Sequence, residues 1–181
     1  MLEILLSALL LVYVWWLYSR LVTDRNRVLS AWSDIEVQLK KRHDLVPQLV
    51  SSVKAYAQHE RATLEAVTAL RTRSEATEGV ADKAALEESL QAGMQRLLLL
   101  AEAYPDLHAD QNFRQLQTAL VEIEDHLQYA RRYYNGAVRM LNVRVQTFPH
   151  LLLARLLGFD GAEYFSVDSA AERRAPQVEL Q

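Results

Sequence analysis

The sequence predicts an all-α protein, an elongated antiparallel helical bundle of three long helices and a short fourth, preceded by an N-terminal transmembrane helix. Three observations lead to this prediction. Glycine and proline are scarce, with 5 Gly and 4 Pro in 181 residues, which disfavours turn-rich β architectures. Apolar residues make up 50% of the chain, as in folded proteins. Large apolar residues also recur at alternating steps of four and three, the spacing of a heptad stripe on a helix.

Composition also limits the function. The chain has 20 basic and 23 acidic residues and a formal net charge of −3, so nucleic acid is not an expected partner. Cysteine is absent, which excludes disulfides, thiolate nucleophiles and thiolate metal sites and leaves the redox compartment undetermined.

The N-terminal segment, residues 1–19, differs from the rest of the chain. From Ile4 to Ser19 no residue is charged, and with Met1–Glu3 the segment is just long enough to span a bilayer. Its alternatives are a signal peptide and a hydrophobic helix that caps a soluble bundle. A signal peptide needs a positively charged start and a small-x-small cleavage site, and the segment has neither. A retained membrane anchor is therefore the favoured interpretation.

Aromatic and basic residues give this anchor an orientation. Four aromatic residues lie near its C-terminal end, where rings favour the headgroup level. Arg20, Arg25 and Arg27 follow closely, whereas no Lys or Arg precedes the run, and cytoplasmic flanks carry the positive charge. We therefore expect the N-terminus outside and the bundle in the cytoplasm of a cell-membrane protein. The expected membrane-facing residues are Ile4, Leu5, Leu6, Leu9, Leu10, Leu11, Val12, Val14, Trp15, Trp16 and Leu17.

The helical bundle is predicted to occupy residues 20–165. Its first long helix is predicted from an apolar stripe that keeps its phase across Pro47. Proline should kink a helix, but the continuous phase favours one kinked helix over two helices joined by a loop. The alternative is a new helix from Leu45 with Asp44 as its N-cap. The polar stretch from Thr72 to Asp82 is predicted as the distal turn. The stripe comprises Val28, Trp32, Ile35, Leu39, Val46, Leu49, Val53, Tyr56, Thr63, Val67 and Leu70.

Two more long helices and a short one follow. The second begins after its N-cap Asp82 and stops at Tyr104-Pro105, and the third runs from Asp110 to Pro149. The third exceeds the second by some 25 Å at about 1.5 Å per residue, so the kink or a break at Gly136 is expected to absorb the difference. A short apolar helix from Leu151 to Leu157 is expected to close the bundle, ahead of a flexible polar tail, residues 166–181.

Two blocks of the sequence carry a family resemblance. The first runs from Asn26 to Arg71 and begins NRVLSAWSDIEVQLKKRHDLVPQLV. The second runs from Leu97 to Asn142 and contains AEAYPDL and ARRYYNGAV. In this order and spacing they resemble the LemA family of bacterial membrane proteins. The closing pairs Phe148-Pro149, Gly158-Phe159 and Tyr164-Phe165 resemble that family too.

The resemblance covers nearly the whole chain. It implies an N-terminal single span with a small outside terminus, a mostly helical bundle beyond it, and no established enzymatic activity. Two positions depart from the family pattern: Leu141 stands where a tyrosine is usual, and His150-Leu151 replaces a Ser-Asn pair. Neither departure threatens the expected fold.

A search for catalytic or metal-binding patterns gives no candidate. Helical di-iron sites need Glu-x-x-His on two helices, and no histidine here has a glutamate three residues before it. His59-Glu60 lacks the second histidine of a zinc-protease motif, and Glu122 with His126 forms only half a metal site. The glycines form no phosphate-binding loop. We therefore expect no cofactor, metal, catalytic residue or small-molecule ligand.

Two surface features are candidate interaction sites. Lys40, Lys41 and Arg42 form a basic cluster, which is either a solvated helix face or a docking patch for an acidic partner. Near the C-terminus, Tyr164, Phe165, Pro176 and Val178 suit an extended recognition segment, although a frayed terminus is the alternative.

One amide inside the third helix needs its own explanation. Asn135 lies beside the apolar stripe, where a buried amide fixes helix register, or alternatively contacts a ligand.

The sequence thus predicts a membrane-anchored, non-catalytic scaffold or adaptor that serves an unspecified process. Its expected partners are the lipid bilayer and either another membrane protein or a second copy of the chain. The alternative is a hydrolase or metal-dependent enzyme whose site is assembled from scattered polar residues.

Overall fold

The computed structural model describes residues 1–166, which form six α-helices, a short 3-10 turn at Gln58–Glu60 and no strand within that range. This confirms the all-α prediction. The predicted three long helices and short fourth are wrong in detail, because α1 and α5 are long while the other four are shorter. The helices are α1 (Leu2–Lys54), α2 (Arg61–Ala76), α3 (Val80–Ala101), α4 (Pro105–Ala109), α5 (Gln111–Gln146) and α6 (His150–Leu157).

Helix α1 contains 53 residues, about 80 Å at 1.5 Å per residue, and includes both the apolar N-terminal run and the first half of the bundle stripe. It continues through Pro47, as predicted. Proline has no N–H to donate to the carbonyl one turn before it, which here is that of His43. Arg71 in α2 supplies the missing donor, since its Nε lies 2.8 Å from the His43 carbonyl oxygen.

The predicted extension of the first helix to Arg71 is wrong. Helix α1 ends at Lys54, the chain turns over residues 55–60, and α2 runs back along α1, which places Arg71 beside His43. The stretch KAYAQHE contains no glycine or proline, so the turn has no local signal. We attribute it to packing: a straight extension would leave Leu64 and Val67, both buried in the structure, without a partner.

A second turn lies at residues 77–79, within the stretch predicted as the distal turn. It does not lie at the distal end of the bundle, because α2 runs back along α1 and ends near the middle of that helix. Asp82 is in the first turn of α3 and is not its N-cap, which is Gly79. The start predicted for the next long helix is confirmed, because α5 begins directly after Asp110, whose side chain accepts a hydrogen bond from the Phe113 N–H at 2.9 Å.

Helix α5 runs antiparallel to α1 along the bundle. Asp24 pairs with Arg144 near one end of this contact, and Arg42 pairs with Glu124 further along it. No break at Gly136 absorbs the predicted difference in length, since α5 is continuous. Instead α2 and α3 cover the half of α1 and α5 that is distal to the N-terminal run. The other half is covered by α6 and the extended residues 159–165, named here the C-terminal strap.

The covering elements divide the apolar core into two clusters. The distal core includes Val46, Leu49, Leu97 and Phe113, and the proximal core includes Ile35. Helix α6 is capped at its C-terminal end by Gly158. The φ of this residue is 69°, a left-handed conformation that glycine adopts most readily, and it directs the chain into the strap.

Gly93 and Gly136 both lie within helices, and replacing each by alanine is expected to change the stability of the protein by different amounts. An added Cβ at Gly136 would meet no atom within 4 Å, so Gly136→Ala is expected to raise the free energy of unfolding by about 0.5–1 kcal/mol through helix propensity. At Gly93 the Cβ would lie 2.8 Å from Val67 Cγ2, and overpacking should cancel that gain. Denaturant titration of both variants followed by circular dichroism measures this. A larger gain for Gly93→Ala would contradict it.

Candidate functional site

A polar layer lies between the two apolar cores. It comprises Arg42, His43, Ser74, Glu87 and Glu124 and is named here the buried ion network. Arg42 and His43 come from α1, Ser74 from α2, Glu87 from α3 and Glu124 from α5. The network therefore connects the four helices that form the distal half of the bundle.

Glu87 is the centre of this network, and its side chain is fully buried. One carboxylate oxygen lies 3.1 Å from Arg42 Nη1, and the other lies 2.6 Å from His43 Nε2 and accepts a hydrogen bond from the Ser74 hydroxyl. Arg42 uses its second terminal nitrogen to bind Glu124. Each polar group thus has a charged or hydrogen-bonding partner, which is the condition for stable burial of charge.

The surroundings of Glu87 favour its ionised form. Burial by itself raises the pKa of this carboxyl. The hydrogen bonds from His43 and Ser74, together with the charges of His43 and Arg42, outweigh burial, and the pKa lies below its ordinary value of 4.5. On the neighbouring part of α5, burial and the charge of Arg42 lower the pKa of Arg131.

The network does not have the geometry of a catalytic site. The Ser74 hydroxyl donates its hydrogen bond to Glu87 and not to a histidine that could act as a general base. Because the Ser74 side chain is also buried, a substrate could not reach its hydroxyl oxygen. Among the described residues no three His, Asp or Glu side chains are placed to share a metal ion. The arrangement is suited to fixing the packing and register of four helices.

A second polar arrangement attaches the C-terminal strap to α5. Asn142 donates to the carbonyl of Ala162 at 2.9 Å and accepts from its N–H at 2.8 Å. Asn135 makes the same pair of bonds with Phe165, at 3.2 and 2.9 Å. Asn135 therefore satisfies the backbone of the strap, a role that neither of its predicted explanations included.

The strap inserts Phe165 into the proximal core. The ring lies 5.7 Å from that of Trp32 and 5.1 Å below the guanidinium of Arg131. Phe165 is thus buried and unavailable for the predicted recognition segment, whereas its neighbour Tyr164 is exposed. The other two residues of that prediction, Pro176 and Val178, lie outside the described residues.

The basic cluster predicted on α1 is divided by the structure. Lys40 and Lys41 are exposed, but Arg42 is only 2% exposed because it belongs to the buried ion network. A docking patch for an acidic partner is therefore limited here to the two lysines.

The residues predicted to face the membrane project from the bundle on the free end of α1. Of the most apolar eighteen-residue window of this helix, only 6% is buried. All the predicted anchor residues are exposed except Leu17, which packs in the bundle. This end of the helix is long and apolar enough to cross a membrane, and it is not buried among other parts of the described structure.

Polar and aromatic contacts fix the bundle where this free end begins. Asp24 is buried and pairs with Arg144 of α5 and with Arg27, which lies one turn further along α1. Beside them, the Trp16 ring lies 6.1 Å from that of His150 at the start of α6. Burial lowers the pKa of this histidine.

The sequence contains a signal for the buried ion network. Arg42 occupies a position on the apolar stripe of α1, three residues after Leu39 and four before Val46, both of which are buried. Glu87 lies three residues after Ala84 and three before Leu90, both buried, so it also occupies an apolar stripe. Two opposite charges on two facing stripes indicate a buried pair.

Comparison with known proteins identifies relatives of the chain by sequence. The model of the LemA family matches residues 31–180. Two magnetosome proteins of Paramagnetospirillum magneticum, MamQ 1 and MamQ 2, are each 26% identical and align with 86% of this chain and 66% of their own length. Protein LemA of Metamycoplasma hominis is 26% identical, with 72% of this chain and 60% of that protein aligned.

The chain thus spans just under two thirds of the length of the magnetosome relatives. The family match covers most of the stripe of α1 and every later element of the described fold, including the buried ion network and the strap. The chain belongs to the LemA family.

Proposed function

We propose that this protein is a membrane-anchored, non-catalytic scaffold or adaptor. The observation that carries the proposal is the continuity of α1, which is an exposed apolar rod at one end and the core of a helical bundle at the other. An apolar helix without protein neighbours is stable in lipid, because its backbone groups are bonded within the helix.

The same continuity favours a retained anchor over a cleaved leader. Leu17 and Leu21 are buried in the bundle, and Trp16 contacts His150, so the end of the apolar run contributes to the folded structure. A cut at the end of the run would remove two of these packing residues.

We also propose that the bundle lies in the cytoplasm and the N-terminus outside. The support is the charge distribution, because Arg20 and Arg25 are exposed at the bundle end of the run, whereas Glu3 stands at the other end. Positively charged flanks remain in the cytoplasm during insertion.

The adaptor role is supported by the kind of surface that the bundle presents. Its polar clusters are internal and connect parts of the bundle: Glu87 connects helices, and Asn142 attaches the strap to α5. The outer surface carries exposed apolar side chains, among them Val121, Tyr129 and Tyr133 on α5, and aromatic rings are enriched where proteins bind one another. We therefore assign the function to contacts with another membrane protein or a second copy of the chain.

The anchor is tested by expressing the full chain and a form without residues 1–19, each with a reporter after Gln181. The full chain is expected to stay in membranes after an alkaline wash and to carry a reporter active in the cytoplasm, while the shortened form is soluble. Release of the full chain by the wash would contradict the anchor. Reporter activity confined to the outside would contradict the orientation.

The adaptor role needs a separate measurement, which is crosslinking in intact membranes followed by mass spectrometry. We expect one near-stoichiometric partner, or a homodimer, that the form without residues 1–19 does not capture. A catalytic turnover that persists in the shortened form would contradict the proposal.

A further inference from the structure

Helix α6 leaves most of its apolar surface without a partner. Ala154 is its buried residue, while Leu152 and Leu156 are 63% and 79% exposed. These two leucines lie one turn apart and so share a face. Phe148, in the turn before α6, is 75% exposed. We name Phe148, Leu152 and Leu156 the α6 foot.

The foot lies at the level where the apolar run of α1 ends. His150, two residues before Leu152, contacts Trp16, and the Phe159 ring, just after α6, lies 6.1 Å from that of Tyr18. Helix α6 therefore packs beside the last turns of the run. Its exposed leucines continue an apolar surface that α1 has already begun.

The length of the run places this level within the membrane interface. Between Glu3 and Arg20 the run has sixteen uncharged residues, about 24 Å of helix, and the hydrocarbon core of a bilayer is about 30 Å thick. The segment reaches that thickness only if Met1–Glu3, with the Glu3 carboxylate, are added, so the uncharged part alone is short and its flanking residues are drawn towards the lipid. A helix lying in the interface buries its apolar face about 5–10 Å into the boundary between headgroups and acyl chains, which is comparable to this shortfall.

Charge around the foot fits an anionic leaflet. Arg155 is exposed within α6, and Arg139 lines a cavity of about 440 Å³ with Phe148 and His150. Arg20 is exposed, and its guanidinium lies 5.4 Å from the Trp16 ring, so its head can rise to the headgroups while its stem stays in apolar surroundings. Each basic residue near an anionic surface adds to the attraction.

We infer that the α6 foot inserts into the lipid interface of the leaflet where α1 leaves the bilayer, and so holds the bundle against that surface. The inference rests on the proposed anchor. The occupant of the foot is the bilayer itself. A second contact with lipid, beyond the single helix, fixes the tilt of the bundle and therefore which of its sides faces other membrane proteins.

The absence of cysteine makes the test direct, because a single introduced cysteine can be labelled with the environment-sensitive dye NBD. The full chain is reconstituted in vesicles of phosphatidylcholine and phosphatidylglycerol. The variant Leu152→Cys reports on the foot, Leu10→Cys on the span, and Leu99→Cys is an exposed apolar control on α3, in the distal half of the bundle. Quenching is measured with aqueous iodide and with lipids that carry a shallow or a deep nitroxide.

At Leu152→Cys we expect a blue-shifted dye, quenched several-fold less by iodide than at Leu99→Cys and most strongly by the shallow nitroxide. Leu10→Cys should respond to the deep nitroxide. Iodide quenching equal to that at Leu99→Cys would overturn the foot while leaving the anchor intact. Protection of the dye at Leu152→Cys from both iodide and nitroxides, with disulfide dimers formed by the unlabelled Leu152→Cys variant after addition of an oxidant, would overturn it in favour of a second copy. Failure of lipid quenching at Leu10→Cys would instead overturn the anchor.

Discussion

Replacing Glu87 by glutamine is expected to lower the free energy of unfolding by about 3–5 kcal/mol, the usual consequence of removing one partner from a buried ion pair. The variant leaves Arg42 buried with Glu124 as its remaining carboxylate and replaces a carboxylate that three side chains contact. Such a loss is a large fraction of the stability of an ordinary domain. Chemical denaturation of the full chain in detergent, followed by circular dichroism, measures it.

The control is Glu88→Gln, which removes the same charge from the adjacent position of α3. Glu88 is exposed, so its replacement should change the free energy of unfolding by no more than about 0.5 kcal/mol. Equal losses of the free energy of unfolding in the two variants would mean that stability depends on the net charge of the protein and not on the specific contacts of Glu87.

The effect of Glu87→Gln should also depend on pH in a definite direction. The pKa of Glu87 is lowered in the folded state, so its contribution to stability is fully present above the ordinary value of 4.5. That contribution is lost as the pH falls through the lowered pKa, because the unfolded chain then binds the extra proton. The difference in stability between the native chain and Glu87→Gln should narrow on acidification below about pH 4.5. A constant difference would contradict the assignment.

The two long helices could be predicted from the sequence because their stripes are long and regular. The apolar stripe of α5, from Phe113 to Val145, is buried along nearly its whole length, and α1 passes through Pro47 as its phase predicted. The turn at residues 55–60 could not be predicted. Packing of α2 against α1 and α3 decides this turn, and the local sequence there still favours helix.

The candidate sites were less predictable, because each of them pairs residues far apart in the chain. Arg42 and Glu87 are 45 positions apart, and Asn135 and Phe165 are 30 apart. In a single sequence each of these residues is visible only as a charged or amide side chain on or beside an apolar stripe. The helix topology, in which α2 folds back on α1, is needed to show which of these residues contact one another.

Phe165→Ala should be the second most damaging substitution, with an expected loss of about 3–5 kcal/mol, as for other buried aromatic residues replaced by alanine. Phe165 belongs to the strap, and its ring covers the proximal core at a place where no helix covers it. Its removal leaves a cavity against Trp32 and takes away the ring on which the guanidinium of Arg131 lies.

Trp32 provides the measurement, because the other tryptophans, Trp15 and Trp16, lie in the apolar run and can be replaced by phenylalanine. In that background Phe165→Ala should shift the Trp32 emission to longer wavelength and lower the denaturation midpoint. Tyr164→Ala is the matched control, since its ring is exposed and should leave both unchanged. Unchanged values for Phe165→Ala would show that the strap only rests on the bundle. The expected contrast would make the strap a member of the core, with Phe165 as its buried ring and Tyr164 as the ring exposed to solvent.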